Sequence, residues 1–485
     1  MKKAIVIGAG IGGLATAIRL QSKGYQVDVF ESNNYVGGKL TQIGNQDFRF
    51  DAGPSLFTMP EKVDELLNLP GSAKPEFNYE RLDEVCRYFY EDGTVVQGYG
   101  DTQKFAQEVE DKLGVPKATV LKHLSKSEFI FNATNELFLE KSLHKISTYL
   151  TFSTLKSVLK LPFLNINRSM NVVNEKVLKN EKLVQLFNRY ATYNGSNPYV
   201  APGILNIIPH LEFGRGAFFP KGGMQSVTSK LYEKAQSLGV NFKLNSKVEN
   251  ITALKGKVTS IQVNGEEVKA DLFVSNMDVV PFYQRLMPDQ KQPEKVIQQE
   301  RSSSALIFYW GIGKSFSNLI LHNIFFSNDY KEEFNYIFNK NDVFYDPTVY
   351  LNISSKHNPS DAPTGKENWF VMINVPGDKG QDWDDIISRS RKNIIEKLSR
   401  ILSVDVKTLI EYEEILDPRL IEQKTSSFQG SLYGTSSNSK MAAFFRHPNF
   451  SKELNNLFFC GGSVHPGGGI PLALSSAKIV SELVD

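Results

Sequence analysis

An α/β fold is predicted, in which a parallel, doubly wound sheet is interleaved with an α+β domain and a helical lid. Three observations predict it. A strand, a glycine loop, a helix and a second strand follow one another between residues 3 and 31. The apolar pattern turns helical from about residue 101 to 180. Residues 457 to 484 then return to strand, glycine loop and helix.

Each element has its local reason. Lys3-Ala4-Ile5-Val6-Ile7 is a short apolar run suited to a strand buried on both faces. Gly12 to Lys23 reads as a helix carrying Leu14, Ala17, Ile18 and Leu20, ended by Gly24, and Gln26 to Phe30 is the next strand. Strands return at Phe242 to Leu244, on both sides of a turn at Gly256 between Val248 and Val263, and at Leu272 to Val274. Residues 303 to 375, rich in Phe, Tyr and Ile, are expected to be largely β, and residues 381 to 402 helical. At 485 residues the chain exceeds one core. The expected division is a discontinuous nucleotide-binding domain from 1–90, 215–285 and 425–485, a helical lid over 91–214, and a substrate domain over 286–424.

Composition removes several classes. Lys and Arg number 55 against 53 for Asp and Glu, so no basic footprint for nucleic acid exists. The two cysteines, Cys86 and Cys460, are too few for a disulfide framework or a zinc site, which points to a reducing compartment. No run of 18 apolar residues spans a bilayer. Residues 4 to 18 follow two lysines but lead into Arg19-Leu20-Gln21-Ser22-Lys23 with no small-x-small cleavage signal, so they read as strand, loop and helix.

Gly8-Ala9-Gly10-Ile11-Gly12-Gly13 satisfies G-x-G-x-x-G, a Rossmann-like signature when it joins a strand to a helix. Gly8 permits the turn, Gly10 lets the backbone approach a pyrophosphate, and Gly13 lets the helix sit close on the sheet. Glu31, 23 residues after Gly8, ends the next strand where a carboxylate accepts from a ribose diol. Gly37-Gly38-Lys39 adds a second glycine pair with a counter-charge for the same pyrophosphate, and Phe50 to Leu56 follows, including Ser55 and Leu56. These additions argue for a large, permanently enclosed dinucleotide.

At these residues the chain resembles flavoprotein oxidoreductases of the amine-oxidase and carotenoid-desaturase superfamily. Pro220-Lys221-Gly222-Gly223-Met224 is similar to the P-x-G-G-M turn of that group, and Asp361-Ala362-Pro363-Thr364-Gly365 to its D-x-A-P-x-G turn. Phe459-Cys460-Gly461-Gly462-Ser463-Val464-His465-Pro466-Gly467-Gly468-Gly469-Ile470-Pro471 resembles its C-terminal signature. The more familiar phytoene-desaturase wording is G-A-x-T-H-P-G-x-G-I-P. The Gly-Gly-Ser-Val-His-Pro wording here resembles the branch that desaturates hydroxylated or cyclised carotenes at C3–C4. The resemblance implies a Rossmann-like FAD-binding domain of the amine-oxidase/glutathione-reductase type. It also implies FAD contacts from Val248, Asn276, Leu432, Gly462, Gly469, Ile470, Pro471 and Leu472. Physically, the glycine-rich tail leaves a flat ring room to lie on it, and the helix N-terminus after it faces developing negative charge.

The resemblance implies removal of two hydrogens from a lipophilic carotenoid, with electrons passed on to a quinone or O₂. Glu212, Arg446 and His465 are the candidate acceptors for the proton, and the catalytic residue is left open. Between Lys141 and Asn174 lie four lysines and one arginine and no acid, with Thr148, Phe152, Leu155, Leu159 and Phe163 at helical spacing. Such a basic amphipathic segment rests on an anionic membrane or packs on its own domain. The expected location is cytoplasmic, peripheral to the inner face of the membrane. Other activities open on this fold are phytoene desaturation, carotenoid isomerisation or saturation, and non-enzymatic prenyl binding of the escort kind.

Overall fold

The computed structural model describes residues 1–71, 74–150, 160, 163–439, 442 and 446–484. Its first sheet is parallel throughout and five-stranded, in the order Leu457–Phe459, Leu272–Ser275, Lys3–Ile7, Gln26–Phe30, Asn241–Lys243. Val6 stands between Val274 and Val29, and Phe273 is paired with Leu457, so the two ends of the chain share one sheet. Ala4 to Ile7 are buried because both faces are covered. On one face Leu14, Ala17 and Ile18 of helix Ile11–Ser22 pack with Val227 and Leu231 of Gln225–Ser237 and with Leu474 and Ala477 of Ile470–Leu483. On the other, Ile5, Phe30 and Phe273 pack with Ile251 and Ile261 of an antiparallel sheet built from Val248–Leu254, Lys257–Val263 and Glu266–Lys269.

The second body is a seven-stranded sheet in the order Ile410–Leu416, Ser304–Ile312, Glu367–Val375, Val349–Asn352, His322–Phe325, Glu84–Phe89, Val95–Tyr99. Helix Trp383–Leu402 covers one face and closes a core around Trp310, Trp369 and Trp383. The hairpin from 84 to 99 straddles the boundary expected at residue 90 and pairs as a unit with this sheet. Within the stretch expected to be largely β, helix Tyr330–Asn335 intervenes. The carboxylate of Asp329 accepts from the Glu332 amide at 2.9 Å and starts it, and Tyr330 and Phe334 then pack edge to face at 5.0 Å, one helical turn apart.

Helices Thr102–Leu113, Lys117–Leu139, Met170–Leu178 and Glu181–Asn188 form the third body, with Phe105, Phe187 and Phe213 at its centre. Residues 151–159 and 161–162 of the basic amphipathic segment, including Phe152, Leu155, Lys156 and Leu159, lie outside the described residues. Its flanks leave Ile146 and Phe163 80 and 62 % exposed. Among the described residues no helix is long and apolar enough to cross a membrane.

Candidate functional site

The glycine loop lies at the carboxyl end of Lys3–Ile7, where open α/β sheets bind ligands. Its glycines answer mainly to protein packing. A Cβ on Gly13 would stand 2.0 Å from the Gly8 carbonyl oxygen, so the helix sits too close to the strand for any side chain there. A Cβ on Gly10 would stand 2.6 Å from the side-chain amide of Asn276, which fills the space between Gly8, Gly10, Gly12 and Gly461, so protein packing alone already excludes a side chain there. Glu31 is buried, and its Oε2 accepts from the Ala9 amide at 2.7 Å while Oε1 accepts from the Asn33 amide at 2.9 Å. The carboxylate therefore braces the glycine turn against the end of the second strand. Val248 is buried near it, since the Ser246 amide donates to the Glu31 carbonyl at 2.7 Å.

A cavity of about 1030 Å³ opens between the three bodies. Of the residues singled out in the sequence, Gly38, Lys39, Ser55, Leu56, Leu432, Gly469, Ile470, Pro471 and Leu472 line it. Gly8, Gly10, Gly13, Glu31, Val248, Asn276 and Gly462 do not; Gly462 lies behind the wall, where its Cβ would stand 3.3 Å from the Gly468 Cα. Lys39 donates from Nζ to the carbonyls of Ser431 and Leu432 at 2.9 and 2.8 Å, which ties the second glycine pair to the Gly430–Gly434 segment. Burial pulls its ammonium down to about 8, the nearby Asp278 carboxylate opposing and Arg301 assisting.

These residues fit FAD. Helices Ile11–Ser22 and Ile470–Leu483 both start at glycine caps without a side-chain acceptor, so their first-turn amides face outward for phosphate or for the polar edge of a ring. Gly469 has φ of 107°, and a Cβ on it meets nothing within 4 Å, which leaves free space on the cavity side.

The three candidate proton acceptors differ sharply. Arg446 is buried beside Arg301, and burial first, then that charge, pulls its guanidinium down to about 10, so it stays cationic near neutral pH. His465 donates from Nε2 to the Lys141 carbonyl at 2.9 Å, and burial pushes it down to about 3, so it is a poor base. Glu212 sits in a network that sequence reading did not find. Its Oε2 accepts from Tyr193 at 3.1 Å and faces Arg189 at 3.5 Å, and Arg189 also donates to the hydroxyls of Tyr88 and Tyr193 at 3.0 Å each. Beside it, Tyr350 contacts Ser55 at 2.6 Å and His322 Nδ1 at 2.8 Å. Arg189, His322 and Tyr350 come from three distant segments with no local motif, and only the folded chain brings them to one wall.

The sequence profile of a family described as flavin containing amine oxidoreductase matches residues 11–485. A 1-hydroxycarotenoid 3,4-desaturase from Flavobacterium sp. (strain P99-3) is 52% identical over 484 residues, covering 100% of this chain and 99% of that protein. A 4,4'-diapolycopene oxygenase from Methylomonas sp is 34% identical over 493 residues, covering 100% and 98%. Among solved structures, cyclohexylamine oxidase from Brevibacterium oxydans IH-35A superimposes with a TM-score of 0.61 at 14% identity, covering 99% of this chain and 98% of that one.

Proposed function

The chain belongs to the flavin-containing amine oxidoreductase family, and from that premise we propose an FAD-dependent carotenoid desaturase that forms the C3–C4 double bond of a 1-hydroxylated acyclic or monocyclic carotene. The observation that carries the reading is the 52% identity, over essentially the whole length of both chains, to a protein named for that reaction. FAD, when bound, supplies the acceptor for the hydride taken from carbon. The second hydrogen leaves as a proton, and the electrons pass on to a quinone or O₂.

The chain's own residues supply binding, alignment and a dry site. Gly8, Gly10 and Gly13 with Glu31 shape the dinucleotide end, and Asn276 packs the loop behind it. Gly38, Lys39, Ser55, Leu56, Leu432 and Gly468 to Leu472 frame the ring end, with Gly462 packed behind them. In this reading 1–90, 215–285 and 425–485 hold the cofactor, 286–424 the substrate, and 91–214 covers both. Ile204, Ile208 and Leu211 belong to that cover and give the cavity an apolar wall suited to a polyene. We further assign the basic segment around 141–174 to a peripheral contact with an anionic membrane, the source of so apolar a substrate.

Incubation of FAD-loaded protein with 1-hydroxylated carotene in liposomes, under air or with a quinone, tests the reading. The expected product is two hydrogens lighter and absorbs at longer wavelength, with phytoene left largely unchanged. Efficient conversion of phytoene, a product of unchanged mass, or one heavier by oxygen would move the assignment to phytoene desaturase, isomerase or oxygenase respectively.

A further inference from the structure

Among the described residues, five that line the cavity carry a buried side-chain atom with no hydrogen-bond partner: Arg189 Nε, Arg446 Nη1, His465 Nδ1, Glu212 Oε1 and His322 Nε2, of which the last two, one acceptor and one ring nitrogen, belong to groups without a formal positive charge. Glu212 and His322 are 1 and 2 % exposed. Buried polar groups are ordinarily paired, so an orphan acceptor and an orphan nitrogen on one cavity wall call for a ligand. Their characters are set by their neighbours. Glu212 spends Oε2 on Tyr193 and Arg189, and Arg189 balances its charge, so Oε1 is an acceptor without excess negative charge to offer. At His322, the Asn352 amide donates to Nδ1 at 3.1 Å, which leaves the proton on Nε2. His322 is neutral: burial first, then the charges of His357 and Arg189, push it down to about 3. Glu212 and His322 therefore present one acceptor and one donor.

Resting on the desaturase reading above, we propose that Glu212 and His322 form the subsite for the substrate's tertiary hydroxyl, Glu212 Oε1 accepting its proton and His322 Nε2–H donating to its oxygen. A hydroxyl is one donor and an acceptor, and it matches the pair. An ammonium has three donors and no acceptor, so it would face the His322 N–H with another donor. The rest of the network holds the two in place. Tyr193, Tyr88 and Arg189 fix the Glu212 carboxylate, and Tyr350, bonded to Ser55 and His322, fixes the ring. The subsite also explains how so apolar a pocket discriminates. An unhydroxylated carotene end would dehydrate both atoms and return nothing, and sites built around a hydroxyl reject the analogue lacking it far more strongly than apolar pockets reject a methylene. These are positioning residues, since neither is placed on the carbons that react.

The test compares wild-type holoprotein with Glu212→Gln, Glu212→Leu and His322→Phe. Two carotenes of equal conjugation are used, one 1-hydroxylated and one not. Affinities are read from quenching of tryptophan fluorescence, and kcat and KM from product formation in liposomes. Wild type is expected to bind the hydroxylated carotene at least about 30-fold tighter, as two unsatisfied groups imply. His322→Phe and Glu212→Leu should each remove about 10-fold of that preference, through KM more than kcat, whereas Glu212→Gln, which keeps a carbonyl acceptor, should retain most of it. Should Glu212→Leu fail to fold because Arg189 loses its partner, His322→Phe and Glu212→Gln still decide the matter. Equal binding of the two carotenes by wild type, or equal losses on both in the variants, would overturn the subsite. If wild type shows the binding preference, and His322→Phe abolishes it, but no desaturated product forms, the subsite stands and the assigned reaction falls.

Discussion

At the scale of single residues, glycines with the same spacing in the sequence do different work in the fold. Gly13 is required by the backbone itself, because a Cβ there would collide with the Gly8 carbonyl at 2.0 Å. Gly469 has room for a Cβ and is held only by its positive φ. Gly13→Ala should therefore cost about 3 kcal/mol or more, enough to lower soluble yield or the urea midpoint sharply. Gly469→Ala should cost about 1–3 kcal/mol, the penalty of an extended positive-φ conformation that is nearly glycine-only, yet lower flavin occupancy, since Gly469 lines the space assigned to the ring. Denaturation of each variant with and without FAD checks both; equal stability and full flavin absorbance in Gly469→Ala would remove that residue from the site. This contrast also marks what could be read beforehand. The G-x-G-x-x-G spacing announces a close approach at Gly10, but not that the Asn276 side chain, 266 residues later, also packs against it. Glu212 was visible only as an isolated acid, because Arg189 and Tyr193 reach it through tertiary structure alone.

Elements were legible where one periodicity governed a buried face. The parallel strands Lys3–Ile7, Gln26–Phe30 and Leu272–Ser275 and the helix Ile470–Leu483 stand where their apolar runs and glycine stops place them. The helix Tyr330–Asn335 was hidden because its aromatics carry strand propensity, and the cap at Asp329 outweighs it. The hairpin 84–99 was assigned by position in the chain, whereas its partner strand His322–Phe325 is far away in sequence. The segment following Lys141 keeps a behaviour that can be measured. Ile146 and Phe163 carry exposed apolar side chains near Lys145 and Lys160, the side chains that the proposed peripheral membrane contact would use. Ile146→Ser with Phe163→Ser should reduce sedimentation with anionic liposomes several-fold. The melting temperature should stay within about 2 °C, because neither side chain is packed. Unchanged sedimentation would return the segment to an ordinary surface.

For the whole molecule, the burial that makes a dry site also sets its response to acid. His123 and His322 are buried apart from the pair His447 and His465, which a backbone hydrogen bond of 3.0 Å joins, and burial pushes the four down to about 4, 3, 4 and 3 in the order His123, His322, His447, His465. In the unfolded chain each takes up its proton near pH 6.5. Between pH 6.5 and those lowered values the unfolded state binds more protons, so stability rises with pH across the window and is lost as pH falls through it. At pH 5 each buried histidine costs about 2 kcal/mol relative to pH 7, and four such sites approach the whole stability of an ordinary domain. Glu333 works in the opposite sense: burial raises it to about 7, so it favours the folded state increasingly as pH falls from 7 toward the ordinary carboxylate range. Burial raises Asp361 and Glu482 as well, in the same opposing sense, but the four deeply buried imidazoles carry the larger shifts between pH 6.5 and 4.5. The melting temperature should therefore be nearly flat from pH 7 to 8 and fall steeply between 6.5 and 4.5. His123 offers the cleanest check, because it packs against Phe187 at 4.5 Å and no hydrogen-bond partner of its Nε2 occurs among the described residues. His123→Phe keeps a ring there and deletes one titrating site, so stability plotted against pH should lose about one proton of slope near pH 5. An unchanged slope would mean that His123 is already protonated in the folded chain and that the acid response has another origin.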